Sequence, residues 1–119
     1  MKIIKGKPEN FNLISGDDFM ALPSIAAGAA GVISVLANAF PAQTSEITSN
    51  ALKNNYRSAR ETLFKYLELI ELLFIEGSPA GIKAILSIMN LCQNNLRLPL
   101  VQVSRSTYTR IQKAMEGVI

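Results

Sequence analysis

The chain has 119 residues, enough for one compact domain and short for two of ordinary size. At 49% hydrophobic and 18% charged it has the balance of a folded globule, which excludes a disordered or low-complexity chain. Its formal charge of +3 is scattered over Lys2, Lys5, Lys7, Arg57, Arg60, Lys65, Arg105, Arg110 and Lys113, with no basic run interleaved with aromatics, so no nucleic-acid partner is expected.

In chain order, residues 1–5 begin like the basic start of a secretory signal. Gly6, Lys7, Pro8, Glu9 and Asn10 then stand where its apolar core would have to be. Residues 11–15, Phe-Asn-Leu-Ile-Ser, form a short apolar run ahead of Gly16 and read as a buried strand. Asp17 and Asp18 follow, where a carboxylate caps a helix start. Pro23 belongs in a first turn, which places a helix over residues 22–27, and Gly28 and Gly31 bracket its exit. Residues 31–35, Gly-Val-Ile-Ser-Val, make a second β-branched run, apolar on both faces as in a parallel sheet covered by helices. Strand, helix and strand within so few residues make a βα unit followed by a second strand.

The second half is helical. Pro41 suits the first position of a helix through Glu46, Ile47, Ala51 and Leu52, broken by Asn54 and Asn55. Tyr56, Ala59, Leu63, Tyr66, Leu67, Ile70, Leu73 and Phe74 then recur at helical spacing, with Arg57, Arg60, Glu61, Lys65, Glu68 and Glu71 off that stripe. Gly77 ends this helix in a left-handed conformation, and Ser78 and Pro79 open the next as N-cap and first residue. That helix buries Ile82, Ile85, Leu86 and Met89. Residues 98–103 are extended, and Ser104 or Ser106 caps a last helix through Tyr108, Ile111 and Met115.

Residues 19–45 carry no charge, and ~20 apolar residues suffice to cross a bilayer. Pro23, Ser24, Gly28, Gly31, Ser34, Asn38 and Pro41 interrupt the segment, and its alanines contribute little to insertion, so no membrane span is expected. A small membrane-associated or interaction protein built on residues 19–45 is the rival reading from a different class.

Few residues are equipped for chemistry. No histidine is present, which excludes a Ser-His-Asp triad, a Cys-His pair and a His-ligated zinc. Cys92 stands alone, so no intrachain disulfide forms and reducing surroundings are the natural setting. With no base to activate it, Cys92 reads as a small core residue. Gly16-Asp17-Asp18 is the most site-like triplet: at the C-terminal end of a strand, Gly16 and the amides after it would face a ligand. The competing reading makes Gly16 a turn residue and the two aspartates helix caps. Ile33 and Ser34 reach the same end of the second strand, where packing is the ordinary role of an apolar residue. Lys83 could be asked to form a Schiff base, but its neighbours suit an exposed stem on an amphipathic helix. Tyr56, Tyr66 and Tyr108 fall on packing faces. No complete catalytic set, metal site or cofactor site assembles from these residues.

Four ordered stretches carry a resemblance. Residues 13–18 (Leu-Ile-Ser-Gly-Asp-Asp), 31–38 (Gly-Val-Ile-Ser-Val-Leu-Ala-Asn), 73–83 (Leu-Phe-Ile-Glu-Gly-Ser-Pro-Ala-Gly-Ile-Lys) and 97–101 (Arg-Leu-Pro-Leu-Val) resemble the C-terminal part of the dihydrodipicolinate synthase family. These are pyruvate-dependent lyases that include N-acetylneuraminate lyase. The family writes Asn where this chain has Ser78. The resemblance implies an α/β fold, part of a TIM (β/α)8 barrel, with residues 1–54 as the seventh and eighth βα units and 55–119 as a C-terminal helical region. Residues 2–7 would be the tail of the sixth helix and Met1 would fall at an internal position. A whole TIM barrel takes ~250 residues, of which 119 are about two-fifths.

The reaction implied is condensation of pyruvate with aspartate semialdehyde through a lysine Schiff base, in lysine and diaminopimelate biosynthesis in the cytoplasm, by a homo-oligomer that in the family is a tetramer. A sister pyruvate lyase of the N-acetylneuraminate type is the nearest alternative. By motif match Ile33 would be the pyruvate-pocket residue on the eighth strand, acting through its backbone, with Gly16 and Asp17 lining the pocket at the end of the seventh. No residue here matches the family's catalytic lysine, proton-relaying tyrosine or carboxylate-holding threonine motifs, so the chain by itself is expected to be inactive.

Overall fold

The computed structural model describes residues 1–118. The elements run α1 (Lys2–Gly6), β1 (Ile14–Ser15), α2 (Ala21–Ala26), β2 (Gly31–Val32), a 3-10 turn (Leu36–Asn38), α3 (Pro41–Leu52), α4 (Tyr56–Phe74), α5 (Ala80–Ile88) and α6 (Arg105–Glu116). The described residues are mostly helical, with one pair of short parallel strands. Two compact units divide the chain, Met1–Phe64 and Lys65–Ile119, and the division falls inside α4.

In the first unit β1 and β2 pair in parallel, Ile14 opposite Gly31 and Ser15 opposite Val32, with α2 as the crossover between them. The ladder continues one step at each end, where Ala30 N–H donates to the Leu13 carbonyl at 2.7 Å and Ile33 N–H to the Ser15 carbonyl at 2.8 Å. The strands are shorter than the apolar runs at 11–15 and 31–35. After Ile33 the backbone N–H groups of Val35 and Leu36 turn to the Asp18 carboxylate and the chain coils into the 3-10 turn, which ends the extended run. Helix α2 packs on α3, and both pack on β2. Ile25, Ala29, Ala51 and Ala59 form a core cluster against which Leu13 and Leu22 lie partly buried. The alanines of this cluster let backbones approach closely but bury little apolar area per residue.

Helix α3 begins at Pro41, whose missing N–H costs nothing in a first turn. It ends where Asn54 takes a φ of 62°, a left-handed conformation that Asn tolerates better than most residues. Thr62 Oγ1 donates to Glu46 Oε1 at 3.0 Å, linking α3 to the first part of α4. An exposed Arg57–Glu61 pair at 3.1 Å lies along α4 and adds little, as surface pairs do.

In the second unit Tyr66, Leu69, Ile70, Leu72 and Leu73 of α4 are buried, together with Ala80, Ile82, Ala84 and Ile85 of α5 and Thr107, Ile111 and Met115 of α6. The burial of Leu69 and Leu72 widens the stripe beyond that read from spacing, while Phe74 and Tyr56 are exposed. Gly77 ends the helix with a φ of 90°, its N–H donating to the Phe74 carbonyl at 2.9 Å. The next helix starts one residue later than expected: Pro79 is the N-cap of α5, no side chain caps it, and Ser78 is exposed. Of the glycines, Gly81 has the tightest surroundings. A Cβ there would lie 2.7 Å from Leu73 Cα and the Leu73 carbonyl and 2.8 Å from the Leu72 carbonyl, so α4 and α5 meet backbone to backbone.

Helix α6 is anchored at its start. Ser104 Oγ accepts from Thr107 N–H at 3.3 Å as the N-cap. Glu76, at the other end of the intervening chain, accepts from Ser104 N–H at 2.8 Å and from Ser104 Oγ at 2.6 Å. The Ser104 hydroxyl, then Thr107, then the Ser104 amide hold the Glu76 carboxyl below its ordinary value, against a small opposing effect of desolvation.

Gly81→Ala forces rigid backbone to move and is expected to cost about 1–3 kcal/mol, read as a lower urea midpoint at unchanged slope; an unchanged midpoint would refute the close packing of α4 on α5. Because the folded carboxyl of Glu76 is depressed, its stabilising effect is present above the unfolded value of about 4.3 and fades as pH falls through the folded value. Glu76→Gln is therefore expected to be less stable than the parent at pH 7, the gap closing toward pH 3; a gap independent of pH would count against the contact.

Candidate functional site

The C-terminal ends of β1 and β2 lie side by side because the two strands are parallel neighbours, and they bring Gly16, Asp17 and Ile33 to one edge of the sheet. Ser15, 8% exposed, shapes the first loop: its Oγ donates to the Asp17 carbonyl at 3.0 Å and accepts from Asp17 N–H at 3.3 Å. Asp17 is exposed, and its Oδ1 accepts from Phe19 N–H at 2.8 Å. That bond closes the loop on itself, so Asp17 does not cap α2, whose N-cap is Met20 with no side-chain bond.

Asp18 behaves differently from the helix cap the sequence suggests. It is 4% exposed and turns away from α2 toward the loop after β2. Ser34 Oγ donates to its Oδ1, while Val35 N–H and Leu36 N–H donate to Oδ2 at 2.9 and 3.2 Å. Ser34 Oγ also accepts from Ala37 N–H at 2.9 Å, so it caps the 3-10 turn while it binds the carboxylate. The aspartate thus caps an element 16 to 18 residues downstream. Nothing in the local sequence distinguishes it from Asp17; the signal lies only in the pairing of an aspartate after one strand with a serine after the next.

Gly16 needs to be glycine for no reason internal to the chain. Its φ is outside the left-handed region and an added Cβ would meet nothing within 4 Å. Ile33 is 73% exposed, so it does not pack as an apolar strand residue ordinarily does. Ile14, Phe19 and Met20 nearby are also 41–50% exposed. Beside β2 lies a shallow groove of about 290 Å³ lined by Val32, Ser34, Pro41, Thr44 and Thr48 among others. Its threonine hydroxyls are committed: Thr44 Oγ1 donates to the Phe40 carbonyl at 2.9 Å and Thr48 Oγ1 to the Thr44 carbonyl at 2.8 Å. Among the described residues no group of three or more acidic, cysteine or histidine side chains could hold a metal ion. No described helix is long and apolar enough to cross a membrane; residues 19–45 are divided among α2, β2, the 3-10 turn and the start of α3. Cys92 and Lys83 are half-buried and belong to the second unit.

The arrangement offers backbone polarity and an open apolar rim, without a nucleophile or a proton carrier. Known proteins resemble this chain over most of its length. A 4-hydroxy-tetrahydrodipicolinate synthase from Phocaeicola vulgatus is 48% identical over 110 residues, 92% of this chain and 37% of that protein. One from Cytophaga hutchinsonii is 40% identical over 114 residues, 96% of this chain and 38% of that protein. Among solved structures, dihydrodipicolinate synthase from Aquifex aeolicus superposes with a TM-score of 0.93 at 34% identity, over 98% of this chain and 40% of that chain. The chain therefore spans about two-fifths of the length of the relatives it matches, and its strands and helices match part of a TIM-barrel enzyme. Residues 1–118 match the dihydrodipicolinate synthetase family, and the chain belongs to it.

Proposed function

We propose that the chain forms the seventh and eighth βα units and the C-terminal helices of a barrel lyase that condenses pyruvate with aspartate semialdehyde through a lysine Schiff base. In this reading residues 1–54 supply the barrel units and 55–119 the helical region. The enzyme works in the cytoplasm, in lysine and diaminopimelate biosynthesis, as a homo-oligomer. The observation that carries it is the juxtaposition of Gly16 and Asp17 with Ile33 at the C-terminal ends of two parallel neighbours. Gly16 in open space and Ile33 exposed are features that make sense when something outside these 119 residues approaches them. The loop ends of a barrel are where substrates bind.

The roles assigned are those of a pocket wall. Gly16 admits the substrate close to the backbone, Asp17 lines the rim, and Ile33 presents its main chain to pyruvate. The imine-forming lysine, the proton-relaying tyrosine and the threonines belong to other segments of the barrel. Condensation needs the carbonyl carbon of pyruvate held against an amine while water leaves, and a wall of fixed amides and carbonyls orients it without taking part in proton transfer.

The first test is borohydride trapping with pyruvate. The 119-residue chain is expected to form no adduct, and a stoichiometric one would overturn the reading. Grafted in place of the matching segment of the Phocaeicola vulgatus synthase, the chain is expected to support trapping and turnover; a folded graft that fails at both would also overturn it. Gly16→Ala separates the roles of glycine. In the chain alone its stability is expected to stay within about 0.5 kcal/mol of the parent, since nothing is crowded. In the graft it is expected to lower kcat/KM for pyruvate at least tenfold, and an unaffected kcat/KM would remove Gly16 from the pocket.

A further inference from the structure

We infer that Asp18 is a positioning residue that sets the distance between the two halves of the pyruvate-binding wall, so that it governs substrate affinity without touching substrate. The inference rests on the pocket reading above. Its observation is the bond set of one buried carboxylate. Asp18 directly follows Asp17 in the chain, and its three donors, Ser34 Oγ, Val35 N–H and Leu36 N–H, directly follow Ile33. The rim residues of both loops are thereby adjacent to the same staple.

The other side of Ile33 is fixed too, by its N–H on the Ser15 carbonyl at 2.8 Å, and Ser15 Oγ in turn holds Asp17. Ile33 therefore sits between a sheet bond on one flank and the aspartate staple on the other. Its side chain is 73% exposed and contributes little to holding it. A buried carboxylate is costly unless hydrogen-bonded, and here backbone amides and a hydroxyl satisfy it. Charge-assisted bonds of this kind are roughly twice as strong as neutral ones, which suits a tie between two loops.

Removing the carboxylate leaves the Val35 and Leu36 amides and the Ser34 hydroxyl proton without their acceptor, while Ser34 Oγ still accepts from Ala37 N–H. The loop after β2 loses its fixed position, while β1, β2 and α3 keep their own bonds. Asparagine is the conservative variant: its oxygen can accept from both amides and its amide can donate to Ser34 Oγ, which rotates to suit.

Two measurements decide the matter. In the 119-residue chain, Asp18→Ala is expected to speed amide hydrogen exchange of a peptide covering residues 33–38 at least tenfold, with α5 and α6 unchanged. Unaltered exchange at 33–38 overturns the inference whatever the graft does. In the graft, Asp18→Ala is expected to raise KM for pyruvate at least tenfold with kcat within threefold, and Asp18→Asn to restore most of the affinity. A loss of kcat and stability together at unchanged KM, or equal defects in the Ala and Asn variants, would assign Asp18 a structural or charge role and overturn positioning. If the unsubstituted graft is inactive, the pocket reading fails, and positioning of that pocket falls with it; accelerated exchange would then report a loop staple alone.

Discussion

The loop ends of the first unit are held by a single carboxylate satisfying three donors. Asp18 lies just past the end of β1 and its oxygens reach the backbone after β2, so the sheet is clamped where its own ladder stops. A pair of strands this short has little independent stability in water. Backbone bonds between 13–15 and 30–33 set the register, and the aspartate prevents the loop ends from splaying. Because the carboxylate is buried, the clamp cannot be exchanged for water bonds without exposing the groups beneath it.

Each unit has its own core. In the first, Ala29, Ala51 and Ala59 fill the spaces around Ile25, which brings α2 and α3 close to the strands at modest gain in burial. In the second, Leu69, Ile70, Leu72, Leu73, Ile85 and Ile111 are all at most 1% exposed, and burying such a side chain contributes ~1.5–3 kcal/mol. The first unit also buries Leu36, Phe40, Ile47 and Leu63, and it is the second unit that carries the backbone-to-backbone contact, at Gly81.

Helices with regular stripes and punctuating residues are legible in the amino-acid sequence. Pro41 at a first turn, Gly77 in a left-handed conformation and Ser104 as an N-cap each have a local cause that one residue type announces. The βα crossover is legible for the same reason. Strand lengths are not, because they are set by where partners run out, and the departure of Val35 and Leu36 to Asp18 depends on a residue 17 or 18 positions away. The role of Asp18 and the close approach at Gly81 escape a sequence reading for a related reason: each is defined by atoms that only folding brings near. The exposure of Ile33 runs against its composition, since an isoleucine in a β-branched run ordinarily signals packing. The resemblance to a lyase family carries the functional reading further than any local rule.

The Glu76–Ser104 contact spans 28 positions of chain. It closes a large ring through α5 and the extended segment that follows, and ring-closure entropy rises only slowly with ring size, ~0.6 kcal/mol for each doubling. The segment from 90 to 103 can therefore lengthen or shorten by a few residues with almost no thermodynamic consequence, provided the glutamate and the serine still meet.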